Sequence, residues 1–205
     1  MCIRDRPSEW HHKDIFAHTL QVVDNAAELT KEMRVRFAAL VHDIAKPNTR
    51  RIHEKKGYTF YGHDFFGSKM VVKVAKRMKL SNELNTYLQK MTALHLRPIA
   101  LAKDGVTDSA IRRLMVLAGK EIHELMTLCR ADITTKNPRL VKKYMGNFER
   151  VEERMKNVKE LDEMLAFQSP IRGDEIMVIF GITPGKKVGE IKSAIEEAIL
   201  NGDIE

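Results

Sequence analysis

Apolar residues recur along this chain at three- and four-residue intervals far more often than in alternation, which predicts helices nearly throughout. Over residues 14–33, Phe16, Leu20, Val23, Ala27 and Leu29 form the stripe of a core-facing helix. Residues 35–45 make a second helix, stopped by Pro47, which disfavours helical geometry in the residue before it. Residues 49–61 mix Arg, Lys and Gly and read as an exposed connection. Phe66, Met70, Val74 and Met78 line one side of a helix over 64–80, with Lys69, Lys73, Lys76 and Arg77 largely opposite. Ser81 is placed to cap a further helix that ends before Pro98, and Asp108 to cap one over 109–118. Helices over 121–133 and 140–166 follow. After a Pro/Gly break at 169–173 come a short helix over 174–180, a Gly/Pro turn over 181–189 and a last helix over 190–201. The expected fold class is all-α, a helical bundle with a small helical appendage at its C-terminal end.

Composition narrows this only a little. At 205 residues the chain can build one sizeable core. Its 43% apolar and 31% charged residues exclude a disordered chain. No apolar run approaches the roughly 20 residues that span a bilayer, so no membrane partner is expected. Cys2 and Cys129 make no disulfide framework, which points to a reducing, cytoplasmic setting. A net charge of +7 favours polyanionic partners, nucleic acid first.

The candidate chemistry lies in histidine and aspartate. His18 sits in the first predicted helix, the pair His42-Asp43 near the end of the second, and Asp132 near the end of a much later one. Imidazole and carboxylate together suit a divalent ion such as Mn, Fe, Co, Ni, Zn or Mg. Adjacent helical residues point about 100° apart. His42 and Asp43 therefore both reach one ion only at a seam between helices, where inward-facing ligands of a bundle meet. His63 and His95, at helix ends, are candidates for a second ion or for donation to a phosphate oxygen. His11, His12, His53 and His123 have no comparable context and are expected at the surface. Lys46, one turn after His42, joins His63 and His95 as a candidate catalytic group, and Arg50 and Arg51 are placed to hold phosphates. A bound divalent ion activates water and neutralises a phosphoryl oxygen, so the expected reaction class is metal-assisted phosphoester hydrolysis.

His18-Thr-Leu-Gln-Val-Val-Asp24, Ala39-Leu-Val-His-Asp-Ile-Ala-Lys-Pro-Asn-Thr-Arg50, Tyr61-Gly-His-Asp-Phe-Phe-Gly67, Arg77-Met-Lys-Leu-Ser81 and Arg130-Ala-Asp132 resemble the HD superfamily of metal-dependent phosphohydrolases. Within it they resemble the HD half of bacterial CCA-adding tRNA nucleotidyltransferases and related poly(A) polymerases. Ile171-Arg-Gly-Asp-Glu-Ile-Met, the turn from Gly181 to Gly189, and Ile191-Lys-Ser-Ala-Ile-Glu-Glu-Ala-Ile-Leu-Asn-Gly-Asp203 resemble that family's RNA-binding tail. The resemblance implies an HD-type metal-binding helical domain over 13–166 and an RNA-binding segment over 167–205, while residues 1–12, whose start shows no pattern, are expected to be a non-native or truncated leader. It also implies tRNA as partner and a phosphorylated nucleotide or RNA end as substrate. Lys136, Arg139, Lys142 and Lys143 form a basic run, and Lys186 and Lys187 precede the expected start of the last helix, where free N–H groups attract phosphate.

Members of that family carry, ahead of this region, a domain with a Gly-Ser signature and paired aspartates that uses Mg with ATP and CTP. Gly67-Ser68 is the single Gly-Ser here, with no Asp-x-Asp after it, so no nucleotide addition is expected from this stretch alone. Two other readings remain open. One is a free-standing HD nucleotide phosphohydrolase, the other a non-catalytic RNA-binding scaffold whose HD residues brace the fold.

Overall fold

A computed structural model describes residues 14–54, 57–102, 106–166 and 172–200. The expected leader over 1–12, with His11 and His12, lies outside the described residues, as do 167–171 and 201–205. The chain divides into two compact units, Met1–Val158 and Lys159–Glu205.

The first unit is helical, as the hydrophobic spacing predicts, but its helices break more often. Helix α1 spans Ile15–Leu29, and Asp14 caps it by accepting from the backbone N–H groups of Phe16 (2.8 Å) and Ala17 (3.0 Å). Helix α2, Met33–Val41, ends at His42, and residues 42–45 form a turn instead of continuing the helix to 45. Pro47 does not stop a helix here. It occupies the first turn of a four-residue helix, α3 (Lys46–Thr49), where its missing N–H costs nothing. The connection over 49–61 is not shapeless either. Strands β1 (Arg51–His53) and β2 (Gly57–Thr59) pair antiparallel with Ile52 opposite Tyr58.

Helix α4 (His63–Arg77) lies along α5 (Asn82–Leu94), which Ser81 caps through its hydroxyl. A short α6 (Arg97–Leu101) tolerates Pro98 in its first turn. Helix α7 (Asp108–Ala118) is capped by Thr107, one residue before the expected Asp108. A single 3-10 turn over Gly119–Glu121 leads into α8 (Ile122–Ala131), and α9 covers Pro138–Ala166.

Helices α2 and α8 are central. Each contacts α1 and α5, and α2 and α8 contact one another. Ala26, Ala38, Ala39 and Ala131 are fully buried, and small side chains let these axes approach closely. Leu88, Met91, Leu125, Leu128, Phe148 and Val151 fill the remaining core. Three chain breaks, after α2, α5 and α8, carry His42 with Asp43, His95 and Asp132.

In the second unit, α10 (Gly173–Phe180) and α11 (Lys186–Leu200) lie against each other. Gly181 ends α10 in the left-handed region (φ 60°), which a residue without Cβ adopts readily. Because α11 starts four residues earlier than expected, Lys186 and Lys187 occupy its first turn instead of preceding it.

Candidate metal centre

Four side chains from three separate stretches of sequence meet at the seam formed by α1, α2 and α8. His18 comes from α1, His42 caps the C-terminus of α2, Asp43 follows in the turn, and Asp132 caps the C-terminus of α8. Each offers a ligand atom within 4.8 Å of the others, and all four are buried. His18 Nε2 lies 3.0 Å from Asp132 Oδ1 and 3.4 Å from Asp43 Oδ2. His42 Nε2 is 3.1 Å from Asp43 Oδ2 and 3.5 Å from Asp132 Oδ1. The end of α2 makes this possible, since leaving the helix lets two consecutive residues aim at one point.

A second group shares Asp43. His63, the first residue of α4, and His95, the C-cap of α5, join it with ligand atoms again within 4.8 Å. His63 Nε2 stands 3.2 Å from Asp43 Oδ1 and 3.3 Å from His95 Nε2. One carboxylate thus turns one oxygen toward each group.

Backbone contacts fix which ring nitrogen faces inward. His42, His63 and His95 donate from Nδ1 to the carbonyl three residues earlier, of Ala39 (2.8 Å), Phe60 (2.7 Å) and Thr92 (2.7 Å). A carbonyl only accepts, so each of these rings carries a proton on Nδ1 and turns its Nε2 toward the centre. His18 Nδ1 lies 3.0 Å from the Thr134 hydroxyl. The inward Nε2 atoms of His18 and His42 are buried and make no well-formed hydrogen bond. Oriented imidazoles beside carboxylates, with their outer nitrogens held by the protein, are the donor set a divalent ion takes. The residues fit such an ion.

Charges respond accordingly. Burial opposes protonation of His42, but Asp43 and Asp132 outweigh it and raise the ring to about 10. His18 is raised by the same carboxylates against the same burial penalty. For Asp43, burial is overcome by His42, His18 and His63, which hold it well below the usual carboxylate range. His95 behaves oppositely, with burial and the neighbouring His42 pushing it down to about 3.

Lys46 is almost fully buried, and its ammonium pairs with Asp43 Oδ2 beneath the Phe60 ring. Arg50 and Arg51 are exposed at the start of the hairpin. Lys136, Arg139, Lys142 and Lys143 are exposed on and before α9, and Lys186 and Lys187 on α11. His53 and His123 are exposed, in line with their lack of sequence context. The sequence did not single out Asn25. Its amide donates to the carbonyls of Ala131 (2.8 Å) and Ile133 (3.3 Å), on either side of Asp132. Standing seven residues after His18, two turns along the same face of α1, it ties that helix to the point where Asp132 leaves α8. Cys129 donates its thiol to the His95 carbonyl (3.1 Å), and burial raises its pKa, so it braces α5 as an inert group.

The HD domain family model matches residues 15–137. The chain is 27% identical to the A-adding tRNA nucleotidyltransferase of Deinococcus radiodurans over 202 residues, 95% of this chain and 44% of that protein. It is 26% identical to the CC-adding tRNA nucleotidyltransferase of Thermus thermophilus, over 95% of this chain and 43% of that one. With the multifunctional CCA protein of Legionella pneumophila it shares 28% identity over 62% of its own length and 31% of the relative's. The chain therefore spans less than half the length of these relatives.

Proposed function

This chain belongs to the HD domain family, and we propose that it works as the HD and RNA-binding part of a tRNA nucleotidyltransferase, with phosphohydrolase chemistry of its own. The tRNA reading is supported by relatives with tRNA-directed names that align with nearly the whole chain, both compact units included. The hydrolytic reading rests on one observation, the pair of buried ligand groups that share Asp43.

His18, His42, Asp43 and Asp132 would hold a divalent ion, of the Mn, Fe, Co, Ni, Zn or Mg class, and His63 and His95 with Asp43 a second. When bound, the ion supplies Lewis acidity toward a phosphoryl oxygen and an activated water. The chain's own contribution is orientation. Three backbone carbonyls fix the imidazole tautomers, and the surrounding core keeps bulk water from the donors. Arg50, at the mouth, offers a guanidinium to a phosphate. Exposed lysines and arginines after Asp132 and on α4 in the first unit, and others on α11 in the second, each offer cations to RNA phosphates.

Metal analysis of the purified protein tests this, paired with hydrolysis of a model phosphate ester and a 2′,3′-cyclic nucleotide. Bound metal and turnover that Asp43→Ala abolishes are expected. The Lys46 ammonium favours a second reading, because it neutralises Asp43 without any ion. On that reading the cluster braces an RNA-holding scaffold. The protein would then purify without metal and without turnover, yet bind tRNA.

A further inference from the structure

The cleft that leads to Asp43 is furnished for more than phosphate. It measures about 630 Å³, within the roughly 300–1,000 Å³ of small-ligand sites. It runs between the start of α1, the end of α2 with α3, and the β1–β2 hairpin, with Asp43 at its floor. A second cavity, beside Asp132, holds only about 20 Å³, room for one water.

The walls are aromatic. Phe16 is 69% exposed on one side and Leu40 47%. Across from them Tyr58 and Phe60 line the hairpin side. Arg50 stacks its guanidinium on the Tyr58 ring, 5.0 Å from the centroid. An anion alone needs cations and N–H donors, not large apolar rings left facing water. Rings with an interleaved arginine, opening onto a phosphoester-type centre, match a flat base attached to a phosphate.

We propose that this cleft binds the nucleobase of the phosphoester, with Phe16 and Tyr58 as the stacking surfaces and Arg50 bridging base and phosphate. The proposal rests on the reading of the Asp43 cluster as a phosphoester site. The shared chemistry is a base-bearing phosphate, whether a free mononucleotide or an RNA end.

Equilibrium binding to the full chain decides it, using AMP and ribose 5-phosphate, which carry the same phosphate with and without a base. Wild type is expected to prefer AMP by roughly 5- to 150-fold, the range that stacking one base on aromatic side chains supplies. Tyr58→Ala and Phe16→Ala should each erase that preference, with unchanged helical circular dichroism as the control for folding. Tyr58→Phe should keep it. Equal binding of the two ligands by wild type, binding of neither, or a preference that survives both alanine variants would overturn the proposal. A trinucleotide with a terminal phosphate separates the sources. Tighter binding than AMP marks an RNA end as ligand, and equal or weaker binding a free nucleotide. Hydrolysis of ribose 5-phosphate, measured in parallel, judges the hydrolytic reading alone, because that ester has no flat ring to place.

Discussion

Asn25 touches no ligand group, yet its position makes it a test of how the centre is held. Its amide bridges the carbonyls that flank Asp132, so the aspartate's approach to His18 depends on it. Removing such outer support costs metal sites about 10–100-fold in affinity. Asn25→Ala is expected to weaken divalent-ion binding within that range while the helical circular dichroism stays intact, and an unchanged affinity would show that Asp132 is held otherwise. Protonation gives a second residue-scale test. His42 folds with its pKa raised from 6.5 to about 10, so its contribution is complete below about pH 6.5 and is lost as pH rises toward 10. His95 folds with its pKa lowered from 6.5 to about 3, so its contribution is complete above about pH 6.5 and is lost on acidification toward 3. Asp43, held low, adds a loss only below its ordinary value of 3.8. The metal-free protein should therefore melt highest near pH 6.5 and lower on both sides. Metal should remove the alkaline decline, because the ion replaces the Nε2 proton. Melting temperature against pH from 5 to 9, with chelator and with metal, reads both. A steady rise from pH 7 to 9 in chelator would contradict the assigned charges. His18, His42, Asp43 and Asp132 were legible beforehand because their types and spacing are unusual together. Asn25 was not, since its partners are backbone carbonyls 106 and 108 residues away that no side-chain pattern encodes.

Helices α4 and α5 pack against each other with no room to spare at Gly67. A Cβ there would come within 2.9 Å of Thr92 Cγ2, and Thr92 is wholly buried and β-branched, with little room to yield. Gly67→Ala should cost roughly 1–3 kcal/mol in urea unfolding, the usual range for overpacking. Adding Thr92→Ser, which deletes the clashing methyl, should restore most of it; failure of that rescue would place the cost elsewhere. The same contact reaches the second ligand group, because the Thr92 carbonyl orients His95. The helices themselves were readable from three- and four-residue spacing. Their breaks were less so. Pro47 and Pro98 look like terminators in sequence, yet each sits in the first turn of a short new helix, where proline is tolerated. The β1–β2 hairpin escaped because three-residue strands are too short for alternation to declare itself.

For the molecule as a whole, the net charge of +7 has to be turned into a binding experiment with a stated slope. Lys186 and Lys187 stand exposed in the first turn of α11, so their ammonium groups and the helix's free N–H donors are offered from one place. Lys186 lies 3.4 Å from Glu190 Oε1, but with the lysine side chain 91% exposed that pair is screened and yields readily to a phosphate. Each phosphate contact contributes about 0.7–0.9 to the slope of log affinity against log salt, depending on whether the strand is single or paired. If both lysines meet the tRNA backbone, Lys186→Ala with Lys187→Ala should flatten that slope by about 1.4–1.8 while the melting temperature holds, both side chains being solvent-facing. The equivalent double change at Lys142 and Lys143, on α9, tests the basic run after Asp132 in the same units. A flattened slope for one pair and not the other would trace which part of the chain the RNA follows. No change for either would take α9 and α11 out of the RNA contact and turn the test to the exposed cations of α4 and the aromatic-lined cleft at Asp43.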